Sequence, residues 1–160
     1  MPNYLGLCLA LERVAPTQYQ NYNFNSMCKF GDVYLGANSS GIFVLDSGDL
    51  DDTLEIEAFF ELLTSDWGII NQKRIRSIII SLESNGELLL TVSDDDGNSR
   101  DFIIDPIFPS NKQHVVKVAI GRDGKGTYWM VRIDNINGSD FSIDKIQAVP
   151  IILGVKPSMT

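Results

Sequence analysis

Cysteine and histidine are scarce in this chain. The 160 residues include two cysteines, Cys8 and Cys28, and one histidine, His114. Two thiols cannot make the disulfide framework of a small secreted domain, and in a chain this long they are expected to be small buried hydrophobes. Two cysteines and one histidine also fall short of any zinc ligand set. No apolar run approaches the ~20 residues of a membrane-spanning helix. Basic residues are few: 13 Lys and Arg stand against 21 Asp and Glu, for a net charge of -8. That balance disfavours the counterion release that drives nucleic-acid binding, and it repels anionic membranes. Neither nucleic acid nor membrane insertion is expected. The apolar start at Leu5 is short, no positive residue precedes it, and Glu12 and Arg13 follow it. This makes a poor signal peptide, so synthesis in the cytoplasm is expected.

Catalytic signatures are missing too. No G-x-S-x-G elbow occurs, and His114 has no Ser or Cys partner that the sequence can place. In Asp94-Asp-Asp-Gly-Asn98, aligning Gly97 with the invariant glycine of an EF-hand loop puts Val92 first and Ile103 twelfth. Neither can ligate calcium, so a solvated turn is expected. Asp46, Asp49, Asp51 and Asp52 lie together without a defined spacing, and a hard cation there stays open. Paired carboxylates for glycoside cleavage have no specific support. No cofactor is implied.

Gly121-Arg-Asp-Gly-Lys-Gly-Thr127 looks most like a chemical site. The P-loop spacing G-x-x-x-x-G-K-[ST] fails twice: Ala119 stands where the first glycine belongs, and Gly126 stands after Lys125. Thr127–Ile136 is rich in aromatic and β-branched residues without helical period, so a strand follows and no helix N-terminus can collect a phosphate. The segment reads as a hairpin loop between two strands.

What the chain has is turn signals every ~8–12 residues and no convincing long helix. Met27–Phe30, Val33–Ala37 and Ile42–Leu45 read as three strands with two tight turns. Arg74–Leu82, Glu87–Ser93, Arg100–Ile104, His114–Ile120, Thr127–Ile136 and Phe141–Val149 read as further strands; Glu55–Leu63, whose period is mixed by Glu57 and Glu61, reads as a strand with a short helix as the alternative. Asn85-Gly86 is the strongest hairpin signal. The expected fold is all-β, an antiparallel β-sandwich of jelly-roll type. Its expected core is Ile78, Ile80, Leu88, Leu90, Val116, Val118, Val131, Ile133 and Ile143, all at alternating strand positions.

Residues 1–20 stand apart from a single sandwich domain over 21–160. Leu5, Leu7, Leu9 and Leu11 alternate with small residues. The segment is either a strand of the core or an arm docking on a neighbouring subunit, with the four leucines as the contact. Three aromatics are candidates for a stacking surface: Trp67, Tyr128 and Trp129. Core filling is the default for each, and adjacent Tyr128 and Trp129 must face opposite sides of a strand.

Several spaced segments carry a resemblance. They are Tyr22-Asn-Phe-Asn-Ser26, Tyr34-Leu-Gly-Ala37 with Gly41-Ile-Phe43, Asn71-Gln-Lys-Arg74, Gly121-Arg122 with Tyr128-Trp129, and Asn135-x-x-Gly138-x-Asp140-Phe141-x-Ile143-Asp144-x-Ile146. In this order, from about residue 20 onward, the chain resembles small structural proteins of the tail and virion region of tailed bacteriophages and prophages. The resemblance implies a non-enzymatic tail, baseplate or tail-tip component in the virion. It would act as a symmetric homo-oligomer in contact with other phage tail proteins. A carbohydrate-binding sandwich for adsorption to a cell surface is the alternative.

Overall fold

The computed structural model describes residues 4–10, 15–20, 22–45, 50–51, 54–106 and 112–154. Every regular element among them is a β-strand, and every ladder is antiparallel. No helix is long and apolar enough to cross a membrane among the described residues. The chain divides into two compact units, Met1–Gly48 and Asp49–Thr160. The segment 1–20 lies within the first unit, together with the three strands that follow it.

The first unit contains a two-stranded ribbon, β1 (Leu5–Ala10) and β2 (Ala15–Gln20). A meander follows, made of β3 (Ser26–Phe30), β4 (Val33–Asn38) and β5 (Gly41–Leu45). Two-residue turns close both of its hairpins, with Phe30 opposite Val33 and Asn38 opposite Gly41. This is the arrangement the turn residues predict.

In the second unit, β6 (Leu50–Asp51) and β7 (Leu54–Glu55) form a short ladder. The remaining strands are β8 (Phe59–Ser65), β9 (Gln72–Ser84), β10 (Leu88–Asp94), β11 (Ser99–Ile104), β12 (His114–Ala119), β13 (Trp129–Asn135) and β14 (Phe141–Gly154). They make two sheets, ordered β11-β10-β13-β8 and β12-β9-β14. Ile75, Ile78, Ile80 and Leu82 of one sheet share a core with Leu88, Leu90, Val92, Val131 and Ile133 of the other, all at most 1% exposed. Val116, Val118 and Ile143 of the expected core pack against this cluster while partly buried. The fold is an antiparallel β-sandwich.

The side-chain phase of β9 changes between Ser77 and Ile78, just ahead of the run of three isoleucines. Before this change, Lys73, Ile75 and Ser77 are buried; after it, Ile78, Ile80, Leu82 and Ser84 are. Beside this point, Val149 pairs with Ser77 and Pro150 with Ile75, which leaves Arg76 without a partner on β14. One extra residue on β9 is a β-bulge, and it shifts every later side chain to the other face.

The connections correct two sequence expectations. Asn85-Gly86 joins β9 to β10, and these strands lie in different sheets. Gly121–Gly126 likewise joins β12 to β13 across the sandwich. Neither is a hairpin, because both edges of β9 are already taken by β12 and β14, and β13 pairs with β10 and β8. The Asp94–Asn98 turn does close a hairpin, between β10 and β11. There the Asp94 carboxylate accepts from the Asp96 and Asn98 backbone N–H groups, as Asx turns do.

Candidate protein–protein interface

The ribbon has two unlike faces. Cross-strand partners share a face, so Leu5, Leu7 and Leu9 stand with Gln20, Gln18 and Pro16. The three leucines are 55%, 76% and 52% exposed. Leu11, the fourth residue of the expected row, lies outside the described residues. The other face carries Gly6 opposite Tyr19. The Tyr22 ring lies across Gly6 and stacks near Tyr19, with centroids 5.5 Å apart.

From Tyr22 an aromatic line runs into the meander. Phe24 meets Tyr22 edge-on at 5.0 Å, and Phe43 follows at 5.7 Å. Phe24 rests on Gly36, the buried centre of β4. Met27, Gly36 and Phe43 are cross-strand neighbours, as are Lys29, Tyr34 and Leu45, so all six lie on the face that Phe24 covers. Tyr22 and Met27 also touch, with the phenol donating to the sulfur at 3.3 Å. This aromatic line is the internal packing of the first unit.

The opposite face of the meander is apolar as well. Its rows are Ser26–Ala37–Ile42, Cys28–Leu35–Val44 and Phe30–Val33. Phe30 and Ile42 are each 74% exposed. Sequence reasoning found the leucine row by alternation but missed this second surface. The signal was present: apart from Lys29, Asn38 and Ser26, both sets of alternating positions in β3–β5 carry no polar side chain larger than a thiol or phenol, close to the pattern of a strand covered on both sides. The two cysteines depart from expectation here. Both are free and exposed rather than buried; Cys28 stands on the meander face opposite the one that Phe24 covers.

The other candidate sites resolve as structural parts. At the end of the 121–127 loop, the N–H donors of Gly126 and Thr127 are already used. Gly126 exchanges both backbone hydrogen bonds with Lys73, at 2.8 and 3.0 Å. Thr127 N–H donates to the Asp95 carboxylate at 3.0 Å. A carboxylate thus occupies a donor that a phosphate would need, and Lys125 points to solvent. As the residues after the loop predict, a strand follows it.

Lys73 itself is fully buried. Its ammonium donates to the carbonyls of Thr127 and Ile69, the latter at 2.9 Å. Burial lowers its pKa below 10.5, and the carboxylates of Asp66 and Asp95 oppose the shift. His114 opens β12, 7% exposed, with Nδ1 2.9 Å from the Lys112 carbonyl. A shallow polar depression of about 190 Å³ is lined by Leu82, Glu83, Gln113, Ser142 and Asp144; it is smaller than the ~300–1,000 Å³ usual for ligand pockets.

The aromatic candidates separate. Trp129 is 1% exposed, and its indole N–H donates to the Gly126 carbonyl at 3.2 Å. It fills the core and offers no stacking face. Trp67 is half-buried against the same core. Tyr128 faces outward, 47% exposed, as alternation requires. Among the described residues no set of three or more His, Cys, Asp or Glu side chains could hold a metal ion. Most of the acidic 46–52 loop lies outside them.

No family model matches the chain, and no curated protein or solved structure matches it either.

Proposed function

We propose that this chain is a non-enzymatic structural protein of a bacteriophage virion, a tail, baseplate or tail-tip component that works through protein–protein contacts in a symmetric assembly. One observation carries the reading. The leucine row Leu5, Leu7 and Leu9 is held outward by an ordered ribbon, not left on a loose tail. A soluble chain rarely keeps such a stripe uncovered unless a partner covers it. The resemblance to tail-region proteins supplies the kind of partner: another virion protein laid on the ribbon.

The carbohydrate-binding alternative loses its strongest stacking residue with the burial of Trp129. The test is to purify particles, identify the chain in them by mass spectrometry, and locate it with a labelled antibody. Stoichiometric presence at one place in the tail is expected. Absence from purified particles would end this reading.

A further inference from the structure

We infer that the outward face of the β3–β4–β5 meander packs against the same face of a second copy of this chain. The inference rests on the assembly reading above and adds to it a specific self-contact, separate from the leucine row.

The face has eight side chains in three rows: Ser26, Ala37, Ile42; Cys28, Leu35, Val44; Phe30, Val33. None is charged, on a chain whose net charge is -8. The absence of charge favours a second copy over a charged partner. A two-fold contact sets a patch against itself, so any carboxylate within it would meet its own kind or stay buried unpaired. This face has nothing to repel its copy. Its one hydroxyl, on Ser26, already donates to Asn25, which leaves little to recognise a charged partner.

Shape points the same way. An axis along β4 exchanges β3 with β5. Ser26 then lies across from Ile42 of the second copy, and Cys28 across from Val44, large against small. The central Val33, Leu35 and Ala37 meet their own counterparts. Two sheets stacked in this way are the ordinary sandwich contact, ~10 Å apart.

Size sets the strength. Strand spacing and rise give a face of roughly 14 by 17 Å. Such a patch is below the ~800 Å² per partner of a stable dimer. The contact is therefore weak and reversible in free solution. Repetition of the contact within an assembled particle raises its effective strength.

The experiment uses the full chain in a Cys8→Ser background, which leaves Cys28 as the single thiol. Sedimentation is followed from low-micromolar to near-millimolar protein, with the rate of maleimide labelling measured alongside. Dimer mass should rise with concentration, and Cys28 labelling should slow in step. Ile42→Glu should abolish both effects without altering the fold, because that side chain is already exposed in one copy. Leu7→Glu should alter neither. A monomer at every concentration overturns the inference, as does a dimer that survives Ile42→Glu. Slow labelling in a monomer also overturns it, by showing that the chain covers the face itself. Dimerisation through this face by a protein absent from virions would sink the assembly reading alone. A virion protein indifferent to Ile42→Glu would sink this inference alone.

Discussion

Phe24 lies flat across Gly36. A Cβ added at Gly36 would stand 2.8 Å from the ring carbons of Phe24 and 3.2 Å from Leu45. Gly6 has the same relation to Tyr22 on the ribbon, at 2.8 Å. The two glycines let the aromatic line lie against both backbones, and the line joins ribbon to meander. Gly36→Ala should therefore destabilise the first unit by about 1–3 kcal/mol, the usual cost of overpacking. Hydrogen exchange of the β3–β5 amides measures this directly. In a Phe24→Ala background the same substitution should cost clearly less, since the two residues are coupled. Equal costs in both backgrounds would mean that the ring is not what limits the space.

Ile80 is fully buried at the centre of β9, between Val116 on β12 and Ile146 on β14. Ile80→Ala should cost about 2–5 kcal/mol, because both transfer energy and the cavity count against it. Urea unfolding of the second unit is the measurement. Ile79, on the outer side of the same strand, should be far more tolerant of alanine. Similar losses at both positions would show that the phase change at Arg76 is misplaced.

The sandwich was legible in the sequence, and its wiring was not. Strand positions follow from alternation and turn residues, which are local. Asn85-Gly86 shows why pairing is different. Its composition says only that the chain reverses. Here Asn85 N–H donates to the Asp140 carbonyl and Asp140 N–H to the Asn85 side chain. The turn is thus tied to the β13–β14 connection rather than closing its own hairpin. Gly86 is not among the residues with left-handed backbone, which a type I′ hairpin turn would require. The phase change at Arg76–Ile78 was hidden for a similar reason, since its bulge is defined by the partner strand. The leucine row was readable because alternation of large and small residues shows a face without its partner. The meander's outer face was not singled out, because apolar residues on both sides read equally well as an ordinary core strand.

Lys73 gives a pH dependence whose sign is fixed. Its pKa in the folded chain lies below 10.5, chiefly through burial. Between the folded value and 10.5 the unfolded chain holds a proton that the folded chain has released. Stability attributable to Lys73 should therefore rise with pH across that window and stay flat below it. A neutral amine still has two N–H groups for the Ile69 and Thr127 carbonyls. Lys73→Met removes both donors, and leaving buried carbonyls unpaired costs about 1–3 kcal/mol each. The difference in unfolding free energy between wild type and Lys73→Met, followed from neutral to alkaline pH, isolates this residue from the other titrating groups. A difference that falls as pH rises would contradict the assignment.

The ribbon is the sharpest point at which fold and proposed function meet. A chain starting at Thr17 lacks β1 entirely, so β2 loses its ladder and Tyr22 loses the Gly6 surface. Among the described residues, those of the sandwich's apolar core cluster run from Leu62 to Ala148, within the second unit. The truncated chain should therefore keep the cooperative melting of the sandwich, while its first unit loosens and it no longer joins particles. Leu7→Glu in the full chain separates the two causes. Leu7 is 76% exposed, so a charge there leaves the β1–β2 pairing in place and changes only what the ribbon offers a neighbour. Unchanged melting together with lost incorporation is the expected result. Collapse of the sandwich on truncation would instead make residues 1–16 part of its core. Normal incorporation of Leu7→Glu would remove the leucine row from the assembly contact.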